Sequence, residues 1–197
     1  MKSIMKKILV IDTHPRKESL TNLLADTYED AAKSGGHTVQ RLNIRDLKFD
    51  PILFQSYRDV SLEPDIEHSQ ELINWCEHLI IVTPVWWMST PALFKGWLDR
   101  TLMPGFAFKY KKKSFLPIPE RLLKGRSARV IYTQGGPKYL TNIIGFDAFW
   151  KALKYGTLVF CGFGPVRRTA FSNVVRPTDA RITHMKIIVS RLGKRGK

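Results

Sequence analysis

The sequence predicts an α/β fold, a doubly wound five-stranded parallel sheet with helices on both faces. Two observations predict it. Apolar runs of strand length alternate with stretches of helical period, the pattern of a parallel sheet that is covered on both sides. The chain has 197 residues, of which 44% are hydrophobic, enough for one sizeable core and short for two. We therefore expect residues 1–197 to form a single domain.

Each element follows from a local pattern. Short apolar or alternating runs predict five strands, at 7–11, 38–42, 79–83, 129–133 and 157–160. The third run is the most apolar, so we expect it at the centre of the sheet. Apolar residues at helical spacing predict helices at 20–31, 65–76, 91–100, 146–155 and 179–192, the first closed by a glycine pair and the third begun by a proline. Residues 105–119 lack a period, which predicts a long surface excursion.

Composition and residue spacing argue against several classes of protein. The formal net charge of +15 is dispersed and accompanies no nucleic-acid-binding motif, so we expect a solvated basic surface and no nucleic acid. Cys76 and Cys161 have no partner in a redox or metal motif and are expected as reduced core residues. The apolar run Ile8–Ile11 is too short for a signal peptide, which predicts a cytoplasmic protein. The histidines show no metal-ligand spacing, so we expect no metal.

In such a fold, ligands bind beyond the carboxyl ends of the strands, where the first loop is chemically distinctive. Hydroxyls of Ser19 and Thr21, with free N–H groups at a helix start, predict an anion site suited to phosphate. His14 can donate a further hydrogen bond. The loop has neither the dinucleotide-binding glycine pattern nor a P-loop. The alternative is that Ser19 only caps the helix.

Two further loops follow strands three and four. Trp86 and Trp87 lie between prolines and offer a flat apolar surface for an aromatic ring. Because consecutive side chains of an extended loop point in different directions, the sequence leaves open that one tryptophan packs in the core. The segment from Thr133 to Gly136 ends in two glycines and would allow close backbone approach to a ligand, or be an ordinary turn.

The string Pro84-x-Trp86-Trp87-x-x-x-Pro91-Ala92-Leu93-Phe94-Lys95-Gly96-Trp97-Leu98-Asp99-Arg100, followed by Gly105-Phe106-Ala107-Phe108-x-Tyr110, resembles the NAD(P)H quinone dehydrogenase family of flavodoxin-like flavoproteins. The similarity begins at the first strand and extends to Phe163. It implies a flavodoxin-like fold and a flavin-dependent NAD(P)H oxidoreductase, reducing quinones or similar small acceptors by ping-pong two-electron (hydride) transfer. The implied cofactor is FAD, with FMN as the alternative.

The resemblance also implies site residues. The phosphates would be held by His14, Ser19 and Thr21, with Leu20 nearby; the ring would lie along Pro84, Val85, Trp86, Trp87 and Met88, and its pyrimidine end at Thr133, Gln134, Gly135 and Gly136. Tyr139 matches a tyrosine that borders the substrate cavity and is the implied catalytic residue. A histidine that some relatives place shortly after it is absent from 140–147, and the long C-terminal extension of larger members is absent too.

Family members are homodimers whose second subunit completes the cavity, so the resemblance implies a homodimer. An alternative is a flavin-binding regulatory subunit of a potassium-efflux system, as some relatives are. The excess of positive charge suits peripheral contact with such a membrane partner.

Overall fold

A computed structural model describes residues 5–57, 59–110, 119–137, 139, 143 and 145–197. The strands are β1 (Lys7–Asp12), β2 (Thr38–Asn43), β3 (His78–Pro84), β4 (Phe108–Lys109), β5 (Glu120–Arg121), β6 (Ser127–Thr133) and β7 (Val166–Phe171). Five of them form a parallel sheet in the order β2-β1-β3-β6-β7. The predicted fold class is confirmed, and the most apolar strand, β3, is central.

The helices are α1 (Leu20–Ser34), α2 (Pro64–Trp75), α3 (Ala92–Thr101), α4 (Ala148–Lys151) and α5 (Asp179–Lys194). A 3₁₀ turn (Ile44–Asp46) follows β2, and α4 continues directly into a π-helical segment (Ala152–Val159). Helices α1 and α5 pack on one face of the sheet, where Leu24, Met185 and Val189 are buried; α2, α3 and α4 cover the other. Both faces are therefore apolar, which explains the near-continuous hydrophobic runs of the central strands.

The predicted fifth strand, 157–160, is wrong. These residues lie in the π-helical segment and at the helical residue that directly follows it, and the fifth strand of the sheet is β7. A short apolar run cannot be distinguished from a buried helical stretch by periodicity, and Leu158 is indeed buried against the sheet. The true strand contains Arg167 and Arg168, which an edge strand tolerates because one side of it faces solvent.

The start of the segment predicted as a surface excursion makes specific contacts. Phe108 and Lys109 pair antiparallel with Arg121 and Glu120, and Ala107 is fully buried. Residues 111–118 of the predicted excursion lie outside the described residues. The start of the segment is therefore held by backbone pairing with residues 120–122.

Helix α3 is held by close contacts. Gly96 faces Pro51, whose atoms would lie 2.5 Å from an added Cβ, and the Trp97 indole donates to Ser69 Oγ at 3.1 Å. Arg100 donates to the Asp50 carbonyl at 2.8 Å and to Glu63 at 2.7 Å. These contacts tie the irregular 50–63 connection to the helix, so this part of the motif serves packing.

Strand register brings the functional loops together. Asp12 at the end of β1 is paired with Asn43 and Val82, while Pro84 at the end of β3 is paired with Thr133, which is paired with Phe171. The carboxyl ends of β1, β3, β6 and β7 therefore share one edge.

Cys76 and Cys161 are buried and free. In the described part of the chain, no helix has both the length and the apolar character needed to cross a bilayer.

Candidate functional site

A cavity of about 640 Å³ lies at this edge of the sheet. The residues that line it are His14, Arg16, Glu18, Ser19, Leu20, Thr21, Pro84, Val85, Trp86, Trp87, Thr133, Gly135, Val174 and Val175. Ten of them belong to the set inferred from the sequence, and they come from all three predicted loops. One cavity thus joins a polar loop to an aromatic one.

The polar side of the cavity is built around the start of α1. Ser19 is the N-cap of this helix: its Oγ accepts the Asn22 N–H at 3.1 Å and lies 3.2 Å from Thr21 Oγ1. The Leu23 N–H is taken by the Ser19 carbonyl, so the amides of Leu20 and Thr21 have no partner within the helix. Ser19 therefore caps the helix and lines the cavity at once. Two hydroxyls and two free amides at a helix N-terminus suit an anion.

His14 lies beside this group with its ring almost fully buried. Its Nδ1 accepts the Arg16 N–H at 3.0 Å. Burial, followed by the positive charge of Arg16, lowers the pKa of His14 below its usual 6.5. The ring is therefore neutral at pH 7, and because Nδ1 is an acceptor the proton is on Nε2, which can donate to a ligand.

The aromatic side of the cavity is a tight hairpin rather than an extended loop. Trp86 and Ser89 exchange two backbone hydrogen bonds of 3.0 and 2.8 Å, and Trp87 and Met88 between them have φ of 50° and 56°. Positive φ at both central residues defines a type I′ turn. The Trp86 ring meets His14 edge-on with centroids 5.4 Å apart, and Trp87 is 100% exposed. Neither tryptophan packs in the core, because the turn carries both outwards.

This turn stores backbone strain, since type I′ turns favour Asn and Gly and disfavour Trp and Met. We expect Met88→Gly to raise the free energy of unfolding by about 1 kcal/mol, because glycine adopts positive φ without a Cβ penalty. Urea unfolding measures this. Met88→Ala is the matched control, because it removes the same side chain and keeps the Cβ. An equal gain in the free energy of unfolding of both variants would mean that removal of the methionine side chain causes the gain. That result would contradict backbone strain at this position.

The loop from Thr133 to Gly136 is joined to a fourth loop, the segment after β7, which was not inferred from the sequence. The Gln134 N–H donates to the Phe171 carbonyl at 2.9 Å and the Val174 N–H to the Gln134 carbonyl at 3.3 Å, so the segment after β7 lies against the glycine turn. Val174 and Val175 thereby wall the cavity. They were missed because the fifth strand was assigned to 157–160; the true strand would have pointed to them.

Four of the inferred residues do not line the cavity of a single chain: Met88, Gln134, Gly136 and Tyr139. The Gly136 carbonyl instead accepts the Asn173 N–H, and Tyr139 is 62% exposed. The catalytic role of Tyr139 stays a prediction. Arg16 and Glu18, which do line the cavity, lie in the predicted anion loop but had no assigned role. Among the described residues, no three His, Cys, Asp or Glu side chains are grouped to hold a metal ion.

The chain belongs to the Flavodoxin_2 family, described as having a flavodoxin-like fold, whose model matches residues 6–190. The ribosyldihydronicotinamide dehydrogenase [quinone] of Pongo abelii is 29% identical over 187 residues, which cover 80% of this chain and 78% of that protein. The resemblance inferred from the Trp86-Trp87 string is therefore confirmed.

Two solved structures share the fold. A crystal structure of a protein from Streptococcus mutans UA159 is 29% identical and superposes with a TM-score of 0.80, covering 97% of this chain and 100% of the other. An FMN-dependent NADH-azoreductase from Bacillus anthracis, solved in complex with FMN, is 18% identical with a TM-score of 0.73, covering 97% and 99%. The second similarity concerns the fold alone.

Proposed function

We propose that this protein is a flavin-dependent NAD(P)H oxidoreductase that reduces quinones or similar small acceptors. The observation that carries the proposal is that one cavity joins the anion-binding start of α1 to the aromatic Trp86–Trp87 hairpin. A flavin nucleotide has the same two parts, a phosphate and a flat ring. The quinone-reducing activity in the name of the Pongo abelii relative supports the same reaction class.

The residues present fit a flavin. The phosphate would be held by His14 Nε2, by the free amides of Leu20 and Thr21, and by whichever of the Ser19 and Thr21 hydroxyls does not donate to the other. The ring would lie beside Trp86 and Trp87, with Thr133 and Gly135 on the other side of the cavity. We propose FAD as the cofactor, with FMN as the alternative, because both present the same phosphate and ring to these groups.

The chemistry that a bound flavin supplies is two-electron transfer from NAD(P)H, which becomes NAD(P)⁺, to a quinone, which takes up two protons and becomes the hydroquinone. The protein's part is to bind the flavin, to orient it and to shield it from water. The start of α1 fixes the phosphate end, the strained hairpin presents aromatic surface in one orientation, and Val174 and Val175 exclude water from one wall. Preorganised groups of this kind reduce the entropy lost when the reactants meet.

We further propose a homodimer in the cytoplasm. The support for the dimer is that Trp87 and Phe146 are both strongly exposed aromatic residues, and Trp87 lies at the mouth of the cavity. A second copy that covered Trp87 would enclose the acceptor. The potassium-efflux alternative has no support from the relatives reported above, and we do not propose it.

Turnover tests the proposal. Protein supplied with FAD or FMN is mixed with NADH or NADPH and with a panel of quinones, nitroaromatics and azo dyes, and nicotinamide oxidation is followed. We expect oxidation that depends on both flavin and acceptor, fastest with a quinone. Oxidation no faster than that by free flavin, for every acceptor and both nicotinamides, would contradict the proposal.

A further inference from the structure

Arg45 connects three parts of the cavity's polar side without lining the cavity. It lies in the 3₁₀ turn after β2, and its side chain is only 9% exposed. One terminal nitrogen donates to Asp12 Oδ2 at 2.5 Å and reaches the His14 carbonyl at 3.5 Å. The other donates to Asn22 Oδ1 at 2.9 Å. The guanidinium therefore spans the end of β1, the following loop and the first turn of α1.

Asp12 completes the arrangement from the strand side. Its carboxylate is fully buried, and its second oxygen, Oδ1, accepts the His14 N–H at 3.2 Å. His14 is thus held through its amide by Asp12 and approached at its carbonyl by Arg45. On the helix side, Asn22 donates its own N–H to Ser19 Oγ. His14 is hydrogen-bonded to this ion pair directly, and Ser19 is connected to it through Asn22.

A buried ion pair is weak evidence for stability, because desolvation of the two charges offsets most of their attraction. The position of the Arg45–Asp12 pair says more about its role than its contribution to stability does. Only a planar fork with fixed donor directions can contact the strand end, the loop and the helix together, and lysine, a single point of charge, cannot. The geometry therefore indicates that this arginine sets the shape of the loop.

We propose that Arg45 is a positioning residue for the phosphate of the cofactor: paired with Asp12, it holds the 13–21 loop and the first turn of α1 in the geometry in which the donors of His14, Ser19 and Thr21 converge. This rests on the proposed flavin function. Because Arg45 acts through the loop, its loss should weaken ligands that carry a phosphate and spare those that bind by the ring alone.

Comparison of FMN with riboflavin tests this directly, since riboflavin has the same ring and no phosphate. Protein freed of bound flavin is titrated with each, and binding is read from the quenching of flavin fluorescence. For Arg45→Met we expect FMN affinity to fall at least tenfold, equivalent to about 1.4 kcal/mol, and riboflavin affinity to stay within about twofold. Arg45→Lys keeps the charge but not the fork, and we expect it to lose at least about fivefold for FMN.

Arg41→Met is the matched control. Arg41 also lies near Asp12, at 3.6 Å, and reaches Asn22 Oδ1 at 3.4 Å, but unlike Arg45 it does not reach the His14 carbonyl, and its other charged partners are Asp26 and Glu29. We expect FMN affinity within about twofold of the parent, although the same charge is removed. Should Arg45→Met not fold, the Arg45→Lys result decides.

Unchanged FMN affinity in the Arg45 variants, or equal losses for FMN and riboflavin, would overturn the positioning role. Failure of the parent protein to bind FMN, riboflavin and, in a parallel titration, FAD would instead overturn the proposed function, and this inference with it. The two failures are therefore distinguishable in the same titration.

Discussion

Ser19→Asp should weaken flavin binding at least about a hundredfold, equivalent to about 2.7 kcal/mol, without loss of fold stability. The carboxylate would lie where the phosphate is proposed to bind, and like charges at this distance repel strongly in a partly buried site. Aspartate is at the same time as good an N-cap as serine, and its charge is favourable at a helix N-terminus. The substitution thus separates ligand binding from folding.

Two measurements check this result. FMN titration gives the affinity, and urea unfolding of flavin-free protein gives the stability, which should equal or exceed that of the parent. Ser19→Asn is the control, because asparagine caps as well and carries no charge, and we expect it to bind FMN at least about tenfold more tightly than Ser19→Asp. Aspartate and asparagine variants of equal FMN affinity would show that no phosphate lies at Ser19.

The second large effect concerns stability and pH. His78, at the start of β3, is 5% exposed and shares a 2.7 Å hydrogen bond between its Nδ1 and Ser127 Oγ. The pKa of His78 is lowered to about 3, mainly by burial and further by the positive charges of Lys6, Arg129 and Arg167. Since the folded state favours the neutral ring, stability is full above the unfolded pKa of about 6.5 and falls as the pH drops from there towards about 3.

From this shift we expect the protein to lose about 1.4 kcal/mol of unfolding free energy per pH unit below about 6.5, or about 2 kcal/mol between pH 7.5 and pH 5. His78→Asn, which keeps a polar atom near Ser127, should remove this part of the pH dependence. Urea unfolding at both pH values measures it, and His184→Asn, at an exposed position on α5, is the control. Equal pH dependence in the parent and His78→Asn would contradict a neutral buried ring.

Much of the fold and the site could be predicted from the sequence, because the apolar strands and the loop chemistry are local signals. The run from 79 to 83 predicted the central strand, and Ser19, Thr21 and Trp87 meet at one cavity as expected from the carboxyl-end rule. The prediction that failed concerned an element whose structure depends on tertiary packing. The run at 157–160 is helical because neighbouring helical residues and packing on the sheet outweigh its local strand-like composition.

Other features had no local signal at all. The type I′ turn at Trp87 and Met88 contradicts the usual residue preference for such turns, so it could only be seen in the backbone. Arg45 is distant in sequence from Asp12 and His14, and only the parallel pairing of β1 with β2 brings it to the same edge. Val174 and Val175 became visible as cavity walls only after β7 was placed.

The flavin itself is the most direct test of the central claim. Purified protein is denatured, and the released cofactor is identified and quantified by chromatography; protein that has lost it is first incubated with FAD and FMN and then washed. The account predicts one flavin nucleotide per chain, retained by the parent and lost from Ser19→Asp. Protein that is colourless as isolated and retains neither FAD nor FMN after incubation would contradict it.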